Sequence, residues 1–369
     1  MWGHWWRTID RVLFTVIMLI MAFGAVLVMA ASPAIAERHG LAPFYFVQRQ
    51  LIFMGIAIAM MIFLSHLSPL HIRRIAVIGV LAMLALMVVV LFWGVETKGA
   101  RRWIALGSFS LQPSEFMKPC FVVLTAWILS RMPDPRPLIN YRAPAALYLL
   151  VAGLLVLQPD IGMTITLSVV FCAQLFLAGL PIIYVIIAGS AAIFGLVGAY
   201  FTFSHVAERI DNFLKPSDSA DNYQVEKSLE AFASGGLFGR GPGEGVVKHQ
   251  LPDSHTDFIF SVAGEELGII VAIFIAGLFL TLVLRGGWRI YQQQDRFLLL
   301  AVAGLLVVFG FQAFVNMGVA VRLLPAKGMT LPFISYGGSS MLASALTMGM
   351  VLALTRRQIN IPPDLRLKR

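Results

Sequence analysis

Residues 12–32 read VLFTVIMLIMAFGAVLVMAAS, a run without one charged side chain. That is longer than the ~18 apolar residues a helix needs to cross a bilayer. It also exceeds the apolar stretch of roughly 7–15 residues in a cleaved secretory signal, and more runs of its kind follow. Lipid offers no partner to exposed backbone amides and carbonyls, so each such run is expected to span as a helix. Working outward, nine further runs lie at about 47–65, 75–94, 115–130, 145–158, 160–178, 181–203, 258–284, 297–320 and 335–355. The fifth is the weakest: ALYLLVAGLLVLQPD (146–160) turns at Pro159 and Asp160 and predicts a short or interrupted helix.

Composition agrees. The chain is 59% hydrophobic and 13% charged, against about 25% charged in a soluble domain. Its two cysteines, Cys120 and Cys172, each fall inside a predicted span. They form no disulfide framework or metal-ligand spacing and read as small apolar side chains. No internal repeat of about 20–50 residues is visible. The expected fold is an all-α polytopic membrane protein of about ten transmembrane helices.

Orientation follows from Lys and Arg, which favour the cytoplasmic side. With the N-terminus inside, the inner segments hold 15 basic residues against four acidic ones, Asp10, Asp134, Asp295 and Asp364. Both termini are then cytoplasmic, and a large outer loop, about 204–257, joins spans seven and eight. The sequence pI of 9.8 is explained by this asymmetry and does not require nucleic-acid binding. The outer loop contains GGLFGRGPGEG (235–245), too rich in Gly and Pro for a regular helix. It lacks the Gly-Lys-Ser/Thr ending of a phosphate-binding loop and faces away from cytosolic nucleotide.

Polar residues on the outer side are the candidates for chemistry. The 95–114 loop, VETKGARRWIALGSFSLQPS, gathers Lys98, Arg101, Arg102 and Trp103, and the last outer loop carries Arg322 and Lys327. Snorkelling contacts to lipid headgroups are one reading; a site for an anionic headgroup such as a lipid diphosphate is the other, since Arg matches phosphate oxygens bidentately. Glu115 and Lys118 share a helix face at the head of the fourth span, as a structural pair or as a cavity-lining Lys held by Glu. Asp160 in LQPDIG is a helix cap or an intramembrane carboxylate.

The segment LPDSHTDFIFSVAGEELG (251–268) places Asp257 where a polar loop meets the eighth span. Partial desolvation there raises basicity; capping the incoming helix is the competing reading. Glu265 and Glu266 lie two turns further on, as the next carboxylates if Asp257 is not the base. No second acid is spaced as in a two-carboxylate glycosidase. Finally, LPAKGMTLPFISYGGSSM (324–341) is a hydroxyl-rich break before the last span, compatible with a re-entrant loop.

Five segments together, KGARRWI (98–104), QPSEFMK (112–118), QPDIG (158–162), LPDSHTDFIFSVAGEELG and PAKGMTLPFISYGGSS (325–340), resemble the SEDS family of peptidoglycan polymerases (FtsW, RodA, SpoVE). They follow the family order over nearly the whole chain, as one integral membrane domain spanning residues 1–369. The wording AKGMTLPFISYGGSS and GEELG is closer to the division branch than to the elongation branch. The resemblance implies polymerisation of lipid II on the outer face of the cytoplasmic membrane, during septal wall synthesis. It implies that Asp257 is the essential aspartate. It also implies substrate-binding roles for Arg49 in VQRQ, Lys98, Arg101, Arg102, Trp103, Glu115, Lys118, Asp160, His255, Thr256, Lys327, Ser335, Tyr336, Gly337 and Gly338. The implied partners are lipid II, a class B penicillin-binding transpeptidase and small bitopic division activators.

The chemistry needs a base for the acceptor hydroxyl, for which Asp257 is the candidate, and positive charge for the departing diphosphate, for which Arg101, Arg102 and Lys327 are the candidates; a divalent cation, magnesium or manganese, could share that second role. No cofactor is otherwise implied, and no motif locates a metal. A lipid II flippase, the elongation polymerase and a non-catalytic scaffold for the transpeptidase are the alternatives. Paired broken helices with midplane charges would favour the flippase.

Overall fold

The computed structural model describes residues 2–97, 100–107, 109–132, 138–184, 186–187, 189–190, 198, 200–201, 220–291, 293–325 and 328–356. Most of the predicted seventh span, Lys98, Lys327 and the loop stretch 204–219 lie outside them.

The other nine predicted spans each coincide with a helix. A short helix, α1 (Trp2–Thr8), precedes α2 (Arg11–Arg38), which starts where the Asp10 carboxylate accepts from the Val12 and Leu13 amides. There follow α3 (Tyr45–Ser65), α4 (Pro69–Trp93), α5 (Pro113–Ser130), α6 (Arg142–Leu157) and α7 (Ile161–Leu177). Pro69 and Pro113 occupy first-turn positions, where a missing amide proton costs nothing. The chain resumes with α8 (Ala220–Gly235), α9 (Ile259–Tyr291), α10 (Arg296–Ala320) and α11 (Gly338–Leu354). Among the described residues six helices are long and apolar enough to cross a membrane (α7 and α11 are apolar but shorter), the span ending at Leu157 counting with the 3₁₀ turn Leu138–Tyr141 before it. The interrupted fifth span is real: α6 stops at Leu157 and Pro159 takes φ 24°.

Helix α10 is the axis of the bundle. It touches α5, α7, α9 and α11, and two thirds of its apolar window is buried, against 22% for α4. The peripheral helices expose Phe63, Ile78, Leu81, Leu149, Ile273 and Leu280, the belt that lipid would cover.

Two expectations are corrected. The helical membrane class holds, but the 95–114 segment, expected as a loop, carries strands. β1 (Val95–Thr97), β2 (Ala100–Leu106) and β3 (Phe109–Leu111) form an antiparallel sheet with Glu96 opposite Arg101. Its β-branched and aromatic residues suit pleated pairing, but hydropathy alone could not separate them from loop. The second correction concerns the eighth span. Gly268 (φ 84°, ψ 170°) breaks α9 into residues 259–267 and 269–291. The second part, about 35 Å at 1.5 Å per residue, suffices to span, so the first part lies at the outer end.

A break of this kind frees carbonyls on one side and amides on the other, and the Gly-rich loop satisfies two of each. The Glu265 and Glu266 carbonyls accept from the Arg240 and Gly241 amides, each at 3.0 Å. The Ile269 and Ile270 amides donate to the Gly236 and Leu237 carbonyls at 3.0 and 3.4 Å. The approach is so close that a Cβ on Gly268 would stand 2.4 Å from the Leu237 carbonyl oxygen.

Candidate active site

At one end of the bundle the heads of α3, α5, α7 and α11 meet the sheet, the 236–258 loop and the 321–337 loop. Every predicted site residue among the described ones belongs to this end. Asp257 is half-buried in the turn that leads into α9. Three successive carbonyls pin that turn: His255 accepts from the Tyr336 amide (2.8 Å), Thr256 from the Ser335 hydroxyl (2.5 Å) and Asp257 from the Asn316 amide group (2.8 Å). Asp10, Asp160 and Asp295 each accept from amides of the helix that follows them. The residue before α9 is instead Phe258, whose carbonyl takes the Ser261 and Val262 amides. Asp257 thus sits one position before a cap. Gly328 leaves room beside it, since a Cβ there would be 3.2 Å from the Asp257 Oδ2.

Around this carboxylate, Phe46, His255 and Tyr336 pack ring against ring, with centroids 4.8–5.4 Å apart. Arg49 lies over the Tyr45 ring at 4.8 Å, near the Tyr336 hydroxyl. Burial pushes the His255 imidazole down to about 4, so it is neutral at pH 7. Ser335 is committed to structure, donating to Thr256 and accepting from the Leu331 amide at 2.7 Å. Gly337 precedes α11, and Gly338 opens it against the Phe53 and Phe109 rings.

The basic residues separate into two kinds. Arg101 is half-exposed and reaches Glu96 across the strand pair, at 3.5 Å. Arg102 ties β2 to the α6–α7 turn through Asp160 (3.7 Å) and the Gln158 and Pro159 carbonyls. Asp160 also caps α7 through the Met163 amide, so cap and charge partner hold together. Trp103 is half-buried on β2. Glu115 and Lys118 form a buried pair at 2.9 Å that lines a small cavity together with Gln312.

Glu265 and Glu266 are not reserve bases. Glu265 is wholly buried and accepts from the Val246, Val247 and Lys248 amides at 2.7, 2.7 and 3.0 Å. Glu266 accepts from the Gly243 amide (3.1 Å) and from the Lys248 ammonium, which also donates to the Ala30 carbonyl of α2 at 3.0 Å. These carboxylates anchor the glycine loop. Sequence reasoning missed Lys248, Gln312 and Asn316, although the last two were signalled as amides inside an apolar helix.

The sequence pattern of the FtsW, RodA and SpoVE proteins, described as cell cycle proteins, matches residues 10–360. The chain belongs to this family. It is 44% identical over 357 residues to the probable peptidoglycan glycosyltransferase FtsW of Caulobacter vibrioides, covering 96% of this chain and 91% of that one. Identity to the counterpart of Trichlorobacter lovleyi is 37%, covering 94% and 93%. Among solved structures it superposes on a chain of a peptidoglycan synthase complex that coordinates polymerization and crosslinking, with TM-score 0.80, 28% identity and coverage of 94% and 97%. The rod shape determining protein RodA of Thermus thermophilus gives TM-score 0.71 at 29% identity, covering 94% and 96%.

A divalent cation needs several ligands gathered in one place. Among the described residues no three His, Cys, Asp or Glu side chains come together as a metal-holding group.

Proposed function

We infer that this FtsW-like chain is a peptidoglycan glycosyltransferase that polymerises lipid II at the outer face of the cytoplasmic membrane. The observation that carries the reading is the Asp257 carboxylate, half-buried at the outer end of the bundle, in a turn fixed by three carbonyl bonds and bordered by the bare Cα of Gly328. Asp257 takes the proton from the 4-hydroxyl of the acceptor sugar. That oxygen forms its new bond to the anomeric carbon of the donor, and the bond from that carbon to the diphosphate breaks. The electron pair leaves on the lipid diphosphate, whose charge Arg101 and Arg49 would neutralise, with Lys98 and Lys327 as further candidates by sequence. Arg102, tethered to Asp160, sets the position of the strand that carries Arg101.

The synthase complex among its structural relatives supports a transpeptidase as partner, and the FtsW relatives support a place at the division septum with small bitopic activators. A broken helix is also what a flippase would use. Here the break lies at the outer end and is closed by four backbone bonds, which favours the polymerase.

Asp257→Asn keeps the volume and removes the proton acceptor. A general base contributes about 10²–10⁴-fold in rate. The variant is expected to insert, bind its partner and retain lipid II, yet lose polymerisation by at least about 100-fold. Glycan synthesis within a few-fold of the parent would remove Asp257 as base and return weight to the flippase and scaffold readings.

A further inference from the structure

Two side-chain amides, Gln312 and Asn316, interrupt the apolar α10 one turn apart on one face. Asn316 is 1% exposed, and its NH₂ group donates to two carbonyls from different loops, Asp257 at 2.8 Å and Met329 at 2.6 Å. One proton serves each acceptor. The flipped amide would set oxygen against both carbonyls, so its orientation is determined. Gln312 extends the pattern: its Nε2 donates to the Thr330 carbonyl (3.1 Å) and hydroxyl (3.3 Å), and its Oε1 accepts from Lys118 at 2.7 Å. The carbonyls held by Asn316 belong to Asp257 itself and to the neighbour of Gly328, the residue whose bare Cα borders the Asp257 carboxylate.

We propose that Asn316 is a positioning residue: it clamps the Asp257 turn and the 328–331 segment to one helix and so sets the space in which the acceptor hydroxyl meets the carboxylate. The proposal rests on the reading of Asp257 as base. Gln312 supports it one turn away by fixing the next carbonyl. A buried amide with a merely structural role would affect the amount of folded protein and leave turnover per folded molecule alone.

The test is hydrogen exchange and lipid II turnover on the full chain with its transpeptidase partner, for Asn316→Asp and Asn316→Ala beside Asp257→Asn. The Asp variant is isosteric but presents an acceptor to two acceptors; the Ala variant removes the donor without repulsion. Both are expected to exchange faster at amides 253–258 and 328–331, while kcat falls about 100-fold, the scale expected of an ångström-level misplacement. KM should stay within about threefold. Unchanged protection at both loops overturns the proposal, as does loosening with kcat within about threefold of the parent. So does failure of both variants to accumulate folded, because alanine leaves the packing of α10 in place. If Asp257→Asn polymerises normally while the Asn316 variants loosen both loops and lose turnover, the clamp stands and the base assignment falls.

Discussion

Beside Asp257 a single methyl group decides whether the carboxylate keeps its place. A Cβ at Gly328 would lie 3.2 Å from Oδ2, tighter than ordinary van der Waals contact, so carboxylate or loop must yield by a few tenths of an ångström. Gly328→Ala is expected to lower kcat about tenfold while leaving the amount of folded protein unchanged, as checked by single-turnover polymerisation against thermal unfolding. Next to it, His255 carries a pH signature. Burial lowers its folded pKa to about 4 from the ordinary 6.5, so between those values the unfolded chain binds the extra proton. Stability therefore rises with pH across that window and falls as the medium is acidified from about 6.5 toward 4. His255→Gln should flatten that slope in unfolding midpoints measured in detergent. An equally steep slope in the variant would assign it to another group.

At the level of elements, the broken helix and its loop form one unit. Gly268→Ala puts a side chain at φ 84° and against the Leu237 carbonyl, 2.4 Å away. Left-handed strain alone costs about 1–3 kcal/mol, and displacing the loop adds the loss of reciprocal caps, so a marked drop in unfolding midpoint is expected. The Lys248–Glu266 pair behaves differently. Both side chains are nearly solvent-free, at 3% and 1%. Lys248→Met strands a buried carboxylate and should destabilise by about 3–5 kcal/mol. Adding Glu266→Gln should recover part of that loss, because no unpaired charge then remains. A double variant no better than the single would show that packing of Lys248 on α2 dominates.

Across the whole molecule, contacts between distant chain segments sort the helix ends into two sets. Asp10 pairs with Arg285 (3.1 Å) and Arg289, the Trp5 indole donates to Ser65 (2.8 Å), and Arg356 donates to Thr8 (3.0 Å). These segments are the ones that the Lys and Arg asymmetry puts in the cytoplasm. The ends that surround Asp257 form the opposite set. A cysteine introduced at exposed Gln250 should react with an impermeant thiol reagent in intact cells, and one at exposed Gln294 only after permeabilisation. The reverse pattern would invert every outer-face assignment made here.

The amino-acid sequence by itself determined the membrane class, nine of the helices and the end at which the polar residues gather. Apolar runs of bilayer length and charge asymmetry are local signals, and both can be read without knowing what touches what. It also marked Asp257, because a carboxylate at a loop–span boundary is costly wherever the rest of the chain lies. What local pattern could not decide was which polar groups serve chemistry and which serve the backbone. Glu265 and Glu266 look the same as Asp257 in hydropathy, yet four amides and a lysine ammonium from residues 243–248 claim them. Arg101 and Arg102 are adjacent, yet strand alternation points one toward Glu96 and the other toward Asp160. Gly268 could be a break only because residues 236–241 arrive to satisfy the groups it frees. Each of these outcomes depends on a hydrogen-bond partner remote in sequence, and in a medium that offers no water such partners are supplied by tertiary structure alone.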